Sequence, residues 1–126
     1  MRQRLEPILA IGRNLEVCRT ISDVLAGEGY WVEWTTDLTT APLRVSGHRY
    51  ALLVAEADGT DGTHTALAAV SEIDPDLPIL LLAHADEHPA EPRAGVSVLA
   101  KPFESPALLD HVRTLVRTPR AARSRG

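Results

Sequence analysis

Three carboxylates crowd the segment Glu56-Ala57-Asp58-Gly59-Thr60-Asp61-Gly62, directly after the apolar run Ala51-Leu52-Leu53-Val54-Ala55. Carboxylates gathered at the end of a strand can hold a hard dication or take up a phosphoryl group. Asp-Gly pairs can also do no more than close turns, because aspartate bonds its own backbone and glycine accepts a positive φ. Further along, Lys101, the only lysine, precedes Pro102 and Phe103. A lysine so placed either neutralises an oxyanion or snorkels into solvent from the strand end. His84-Ala85-Asp86-Glu87-His88 has the spacing at which two histidines on one helical face bind zinc and the glutamate activates water. The run starts where a strand ends and meets Pro89 at once, so it reads as a solvated polar loop, with metal binding through His84 and His88 kept as an alternative. Cys18 is single, which excludes a disulfide framework and a zinc knuckle.

These residues need a scaffold, and 126 residues, 44% hydrophobic and 24% charged, can bury a core as one domain. Apolar runs alternate with helical stripes, the order of a parallel sheet with crossover helices. Pro7 to Ile11 is apolar on both faces, as a central parallel strand must be, and stops at Gly12. Asn14 can cap a helix carrying Val17, Cys18, Ile21, Val24 and Leu25, which Gly27 and Gly29 end. Tyr30 to Thr35 reads as an edge strand, with Trp31 and Trp34 expected in the core. Asp37 caps a short helix that begins near Pro42. Strand three, Ala51 to Ala55, leads into the acidic loop. A helix turning Ala66, Leu67, Val70 and Ile73 inward breaks at Asp74-Pro75. Pro78 to Ala83 and Val96 to Ala100 are strands four and five. Pro89 and Pro92 between them predict a fourth helix that is short or irregular. Ser105 caps and Pro106 begins a last helix with Leu108, Leu109, Val112, Leu115 and Val116 on one stripe. Residues 118–126 read as a disordered basic tail or linker after a single domain over 1–117.

The net charge of −4 and pI near 5.7 argue against a nucleic-acid-coating domain. No apolar run, Ile79 to Ala83 being among the longest, can span a bilayer and no secretory core follows Met1, so a cytoplasmic protein is expected. The arginines of the tail lack interleaved aromatics and make a weak nucleic-acid signal.

Gly29-Tyr30 before strand two, Asp61-Gly62 after strand three, Pro75 with Leu77-Pro78-Ile79 before strand four, and Lys101-Pro102-Phe103 after strand five together resemble the receiver domain of two-component response regulators, over about residues 7 to 117. The resemblance implies a CheY-like, flavodoxin-like three-layer α/β sandwich. Its five-stranded parallel sheet runs in the order 2-1-3-4-5, with the first and last helices on one face. It also implies a phosphoacceptor aspartate at the end of strand three, magnesium held there by an acidic pair after strand one, a hydroxyl in strand four, an aromatic switch residue in strand five and a lysine beside them.

Set on that pattern, the chain departs at most chemical positions. Gly12 and Arg13 stand where the acidic pair belongs, Glu56 stands at the acceptor position, and the loop to Asp61-Gly62 is shorter than the family's. Ala83 and Val98 occupy the switch positions. Lys101 alone is retained, and Pro102 is a candidate for the family's cis peptide. Magnesium binding is expected to be lost, partly because Arg13 would repel the ion. The reading is an atypical receiver, a pseudo-receiver without catalysis of its own, in which Glu56 pairs with Lys101 and with Arg13 as a candidate second cation. Asp58 is the alternative acceptor under a shifted alignment. Expected partners are proteins: a histidine kinase, an output domain, another signalling protein or a second copy of the chain. No membrane partner and no cofactor is expected, and a flavin is disfavoured because Gly12-Arg13-Asn14-Leu15 cradles no phosphate.

Overall fold

The computed structural model describes residues 6–57, 61–84 and 95–117, with no account of the Asp61 side chain. Asp58, Glu87, His88, most of the expected fourth-helix segment and the basic tail therefore lie outside the described residues. Strand β1 (Ile8–Ile11) leads to helix α1 (Leu15–Gly27) and strand β2 (Val32–Thr35). A 3-10 turn (Leu38–Thr40) enters helix α2 (Ala41–Gly47), then come β3 (Leu52–Glu56), α3 (Asp61–Ile73), β4 (Ile79–Ala83), β5 (Val96–Ala100) and α4 (Ser105–Arg117). All strand pairs are parallel and the sheet order is β2-β1-β3-β4-β5.

The strands that sequence makes apolar on both faces are the central ones, and β1, β3 and β4 are buried throughout. Side chains alternate across the sheet. Ile8, Ala10, Leu52, Val54, Leu80 and Leu82 pack on one face with Ile21 and Leu25 of α1 and Leu108 and Val112 of α4. Leu9, Ile11, Leu53, Ala55, Ile79 and Leu81 pack on the other with Ala41 and Val45 of α2 and Leu67 and Val70 of α3. Each buried valine, leucine or isoleucine among them contributes about 1.5–3 kcal/mol by leaving water.

Local signals set the boundaries. Asn14 Oδ1 accepts from the amides of Glu16 at 2.9 Å and Val17 at 3.2 Å, which caps α1. At its other end Gly29 takes φ +95°, a region open to glycine, and Tyr30 N–H turns back to the Leu25 carbonyl at 3.2 Å. Asp37 caps the 3-10 turn through the Thr39 amide.

Three expectations are corrected. Trp31 and Trp34 are not core: they are 59% and 38% exposed. They lie three apart, so the pleat sends them to opposite sides of β2, an edge strand with no neighbour beyond it, and Trp31 precedes the strand proper. Ile73 is 45% exposed rather than inward, because it is the last residue of α3. Helix α4 begins at Ser105 itself, whose preceding residue Glu104 offers its carbonyl to Leu108 N–H at 3.2 Å.

Candidate functional site

Parallel strands deliver their C-terminal ends to one edge of the sheet, where loops collect. Glu56 is the last residue of β3, and strand parity puts its side chain with Leu52 and Val54 on the α1 side. Its backbone is fixed by register with Leu82 of β4 and by the wholly buried Thr63 of α3, whose hydroxyl donates to the Glu56 carbonyl at 3.3 Å. Thr63 escaped the sequence reading; its signal is a polar residue on the inward stripe of α3, one turn before Leu67.

Lys101 follows β5 directly. Its amide bonds the Ala83 carbonyl at 3.0 Å, and the Lys101–Pro102 peptide is cis. The ammonium Nζ donates to Glu56 Oε2 at 3.1 Å and to the Ala57 carbonyl at 2.8 Å. The side chains of this ion pair are 14% and 8% exposed, so Lys101 staples the end of β5 to the end of β3. The other carboxylate oxygen, Glu56 Oε1, is enclosed and has no hydrogen-bond partner among the described residues. A buried acceptor left unmet costs about 1–3 kcal/mol.

Gly12 is buried at the end of β1, beside Glu56, and the Cys18 thiol donates to its carbonyl at 3.5 Å. Burial, with the Glu56 charge adding to it, pushes the Cys18 thiol up to about 11, so it stays a protonated donor at neutral pH. Arg13 does not join Glu56. It is exposed, and its guanidinium lies over Gly62 of α3, where it borders a crevice of about 270 Å³ with Leu38, Pro42, Thr65 and Ala66. Ala83 is buried opposite Ala100, and Val98 sits opposite Leu81 against the α2–α3 core. His84 is exposed. Among the described residues no three His, Cys, Asp or Glu side chains converge as metal ligands, and no helix is long and apolar enough to cross a membrane.

The structure thus brings Glu56, Lys101, Gly12 and Cys18 together at the strand ends and holds Arg13 apart from Glu56. A family model described as flagellar regulatory protein FleQ matches residues 7–114. No curated protein matches. Among solved structures, the signal receiver domain of an HD domain-containing protein from Pseudomonas fluorescens Pf-5 is similar, with a TM-score of 0.81 at 19% identity over 100% of this chain and 97% of that one. A CheY-like response regulator receiver domain protein from Methanospirillum hungatei JF-1 gives 0.77 at 18% identity, covering 90% and 94%. A response regulator receiver protein from Sinorhizobium medicae WSM419 gives 0.72 at 22% identity, covering 91% and 97%. At these identities the likeness is one of fold: the chain has the receiver fold.

Proposed function

We propose, from the premise that the chain belongs to the FleQ family of flagellar regulatory proteins, that it is the receiver-type signalling domain of such a regulator and acts by protein contact without taking up a phosphoryl group. The observation that carries this reading is the ion pair of Glu56 with Lys101 at the ends of β3 and β5. A carboxylate that is to attack phosphorus needs an accessible oxygen and a dication to gather the phosphoryl oxygens. Here one oxygen is held by the ammonium and the other is enclosed beside Gly12. Among the described residues the donors at hand do not fit magnesium: Gly12 supplies no carboxylate, Arg13 supplies a cation, and Glu56 is already paired.

The same departures remove the reporting parts of a phosphorylation switch. Ala83 has no hydroxyl to bond a phosphoryl oxygen, and Val98 has no ring to swing. What remains is a fold in which Lys101 ties the end of β5 to the end of β3, a surface for a histidine kinase, an output domain or another protein of the flagellar control system. The absence of a catalytic role follows from the same chemistry.

The test is intact-mass spectrometry after incubation with acetyl phosphate and magnesium, with a magnesium-free control and circular dichroism to establish folding. The expected result is a folded protein of unchanged mass. A magnesium-dependent adduct of one phosphoryl group mapped to Asp58 would overturn the reading in favour of a working response regulator.

A further inference from the structure

Strand β2 ends the sheet with one side of its backbone unused. The Trp31 carbonyl accepts from Ile8 N–H at 2.8 Å and the Thr35 carbonyl from Gly12 N–H at 3.4 Å, so Trp31, Glu33 and Thr35 face β1. Bonding direction alternates along a strand, which turns the N–H and C=O of Val32 and Trp34 to the open edge. Among the described residues no group bonds these four. Natural edges are blunted by proline, lysine or a bulge. Val32-Glu33-Trp34-Thr35 contains neither residue, and its register with β1 is unbroken. Its one charge, Glu33, is turned to the Tyr50 hydroxyl at 2.7 Å and to Arg44 at 3.5 Å. Trp34 shares the α1 side of the strand with Val32 and leaves its ring partly in solvent at this edge.

We propose that a second copy of the chain covers this edge, β2 pairing antiparallel with its counterpart about a two-fold axis at Trp34. Outward N–H and C=O groups at strand spacing are met by another extended backbone. The same edge of a second copy supplies one in a closed pair, whereas β2 set against the far edge strand β5 would propagate into open filaments. Charge and bonding select the register. A two-fold at Glu33 would place two carboxylates directly opposite each other, which is destabilising. A two-fold at Val32 would pair Trp34 with Tyr30, whose N–H is already given to the Leu25 carbonyl at 3.2 Å. At Trp34, that residue and its counterpart exchange both backbone bonds, Glu33 stands opposite Thr35, and the two exposed rings meet across the strands. Trp31 falls beyond the pairing. A tryptophan buries at most about 250 Å², so one partly exposed ring and a four-residue strand from each copy fall short of the roughly 1,200 Å² at which stable interfaces begin. The dimer is therefore weak, and the dilute chain is a monomer. The inference holds or fails independently of phosphoryl uptake.

The experiment is sedimentation equilibrium of the full chain from micromolar to millimolar concentration, with quenched amide hydrogen exchange on the same samples. The mass is expected to rise from one chain to two and no further. The amides of Glu33 and Thr35, which face β1, should exchange slowly throughout, while those of Val32 and Trp34 exchange freely in dilute samples and slow as the dimer forms. Trp34→Pro removes the outward N–H at a position where an edge strand accepts proline, and should remain a monomer at every concentration. If that variant does not fold, Trp34→Lys, which sets two ammoniums opposite each other across the axis, is expected to do the same. A mass of one chain throughout, or a mass that grows beyond two, overturns the proposal. So does a dimer in which Val32 and Trp34 still exchange freely, or one that survives the substitution. Slow exchange of these two amides at the mass of one chain also overturns it, since the chain would then cover its own edge.

Discussion

Two glutamates point into opposite faces of the same sheet and are kept in opposite ways. Glu33 lies on the edge strand β2, its side chain 31% exposed. Its Oε1 accepts from the buried Tyr50 hydroxyl at 2.7 Å and sits 3.5 Å from Arg44. That carboxylate keeps contact with water while accepting from a tyrosine buried in the α2-side core. Glu56 is on a central strand, has lost nearly all its water, and exchanges it for one ammonium while its second oxygen goes unmet among the described residues. The edge arrangement is what stability alone would select. A buried ion pair is often no better for stability than an apolar pair of the same shape, and what this one does visibly is fix the end of β5 against the end of β3.

The two carboxylates should respond differently to substitution of their partners. Lys101→Met should have the largest effect, because removing one partner of a buried pair leaves an uncompensated charge and costs about 3–5 kcal/mol. Urea unfolding of this variant beside Arg44→Met, expected to lose no more than about 1 kcal/mol at its exposed pair, measures the contrast directly. Equal losses would remove the distinction between the two carboxylates.

Tyr50→Phe comes next, at about 1 kcal/mol, since Glu33 can turn to water when the hydroxyl goes. It also carries a pH signature. Burial, reinforced by the bond to Glu33, pushes the Tyr50 hydroxyl from its ordinary value of 10.0 up to about 12. The fold thus favours the neutral phenol. Its contribution is complete below pH 10 and is lost as pH rises towards 12. Stability followed by denaturant titration across that window should fall less steeply in Tyr50→Phe than in the native chain. The remaining slope is shared with Cys18, whose window opens from its ordinary 9.0 and closes near 11. Trp31→Ala should change stability least, by no more than about 0.5 kcal/mol, because that ring is mostly in solvent. A larger loss would mean that the edge of β2 is covered in the protein as it exists in solution.

Much of the scaffold is readable from local sequence. Continuous apolar runs identify β1, β3 and β4 because burial on both faces leaves no polar alternation. The Asn14 cap, Gly29 and Pro42 punctuate the helices for reasons that are local to the backbone. Trp31 and Trp34 defeat the same reasoning, since whether an aromatic on an edge strand is covered depends on what lies beyond the edge, which no local pattern encodes. The resemblance likewise locates Glu56 and Lys101 at facing strand ends but not the contact of Glu56 with Gly12. That contact needs β1 and β3 to be adjacent in register, Ile11 beside Ala55. It also needs the longer glutamate side chain to fold back across the gap. Arg13, next in sequence to Gly12, lies instead over Gly62, in the bend before the Asn14 cap of α1.

The account turns on whether the strand-end site is already filled by its own side chains. A magnesium titration followed through the backbone amide spectrum, with beryllofluoride added at its end as a phosphoryl mimic, tests this at the residues concerned. The amides of Gly12, Arg13, Ala57 and Lys101 should not shift beyond a sodium control at equal ionic strength. Saturable shifts at these amides that deepen on adding beryllofluoride would contradict it and show an open, metal-dependent acceptor site.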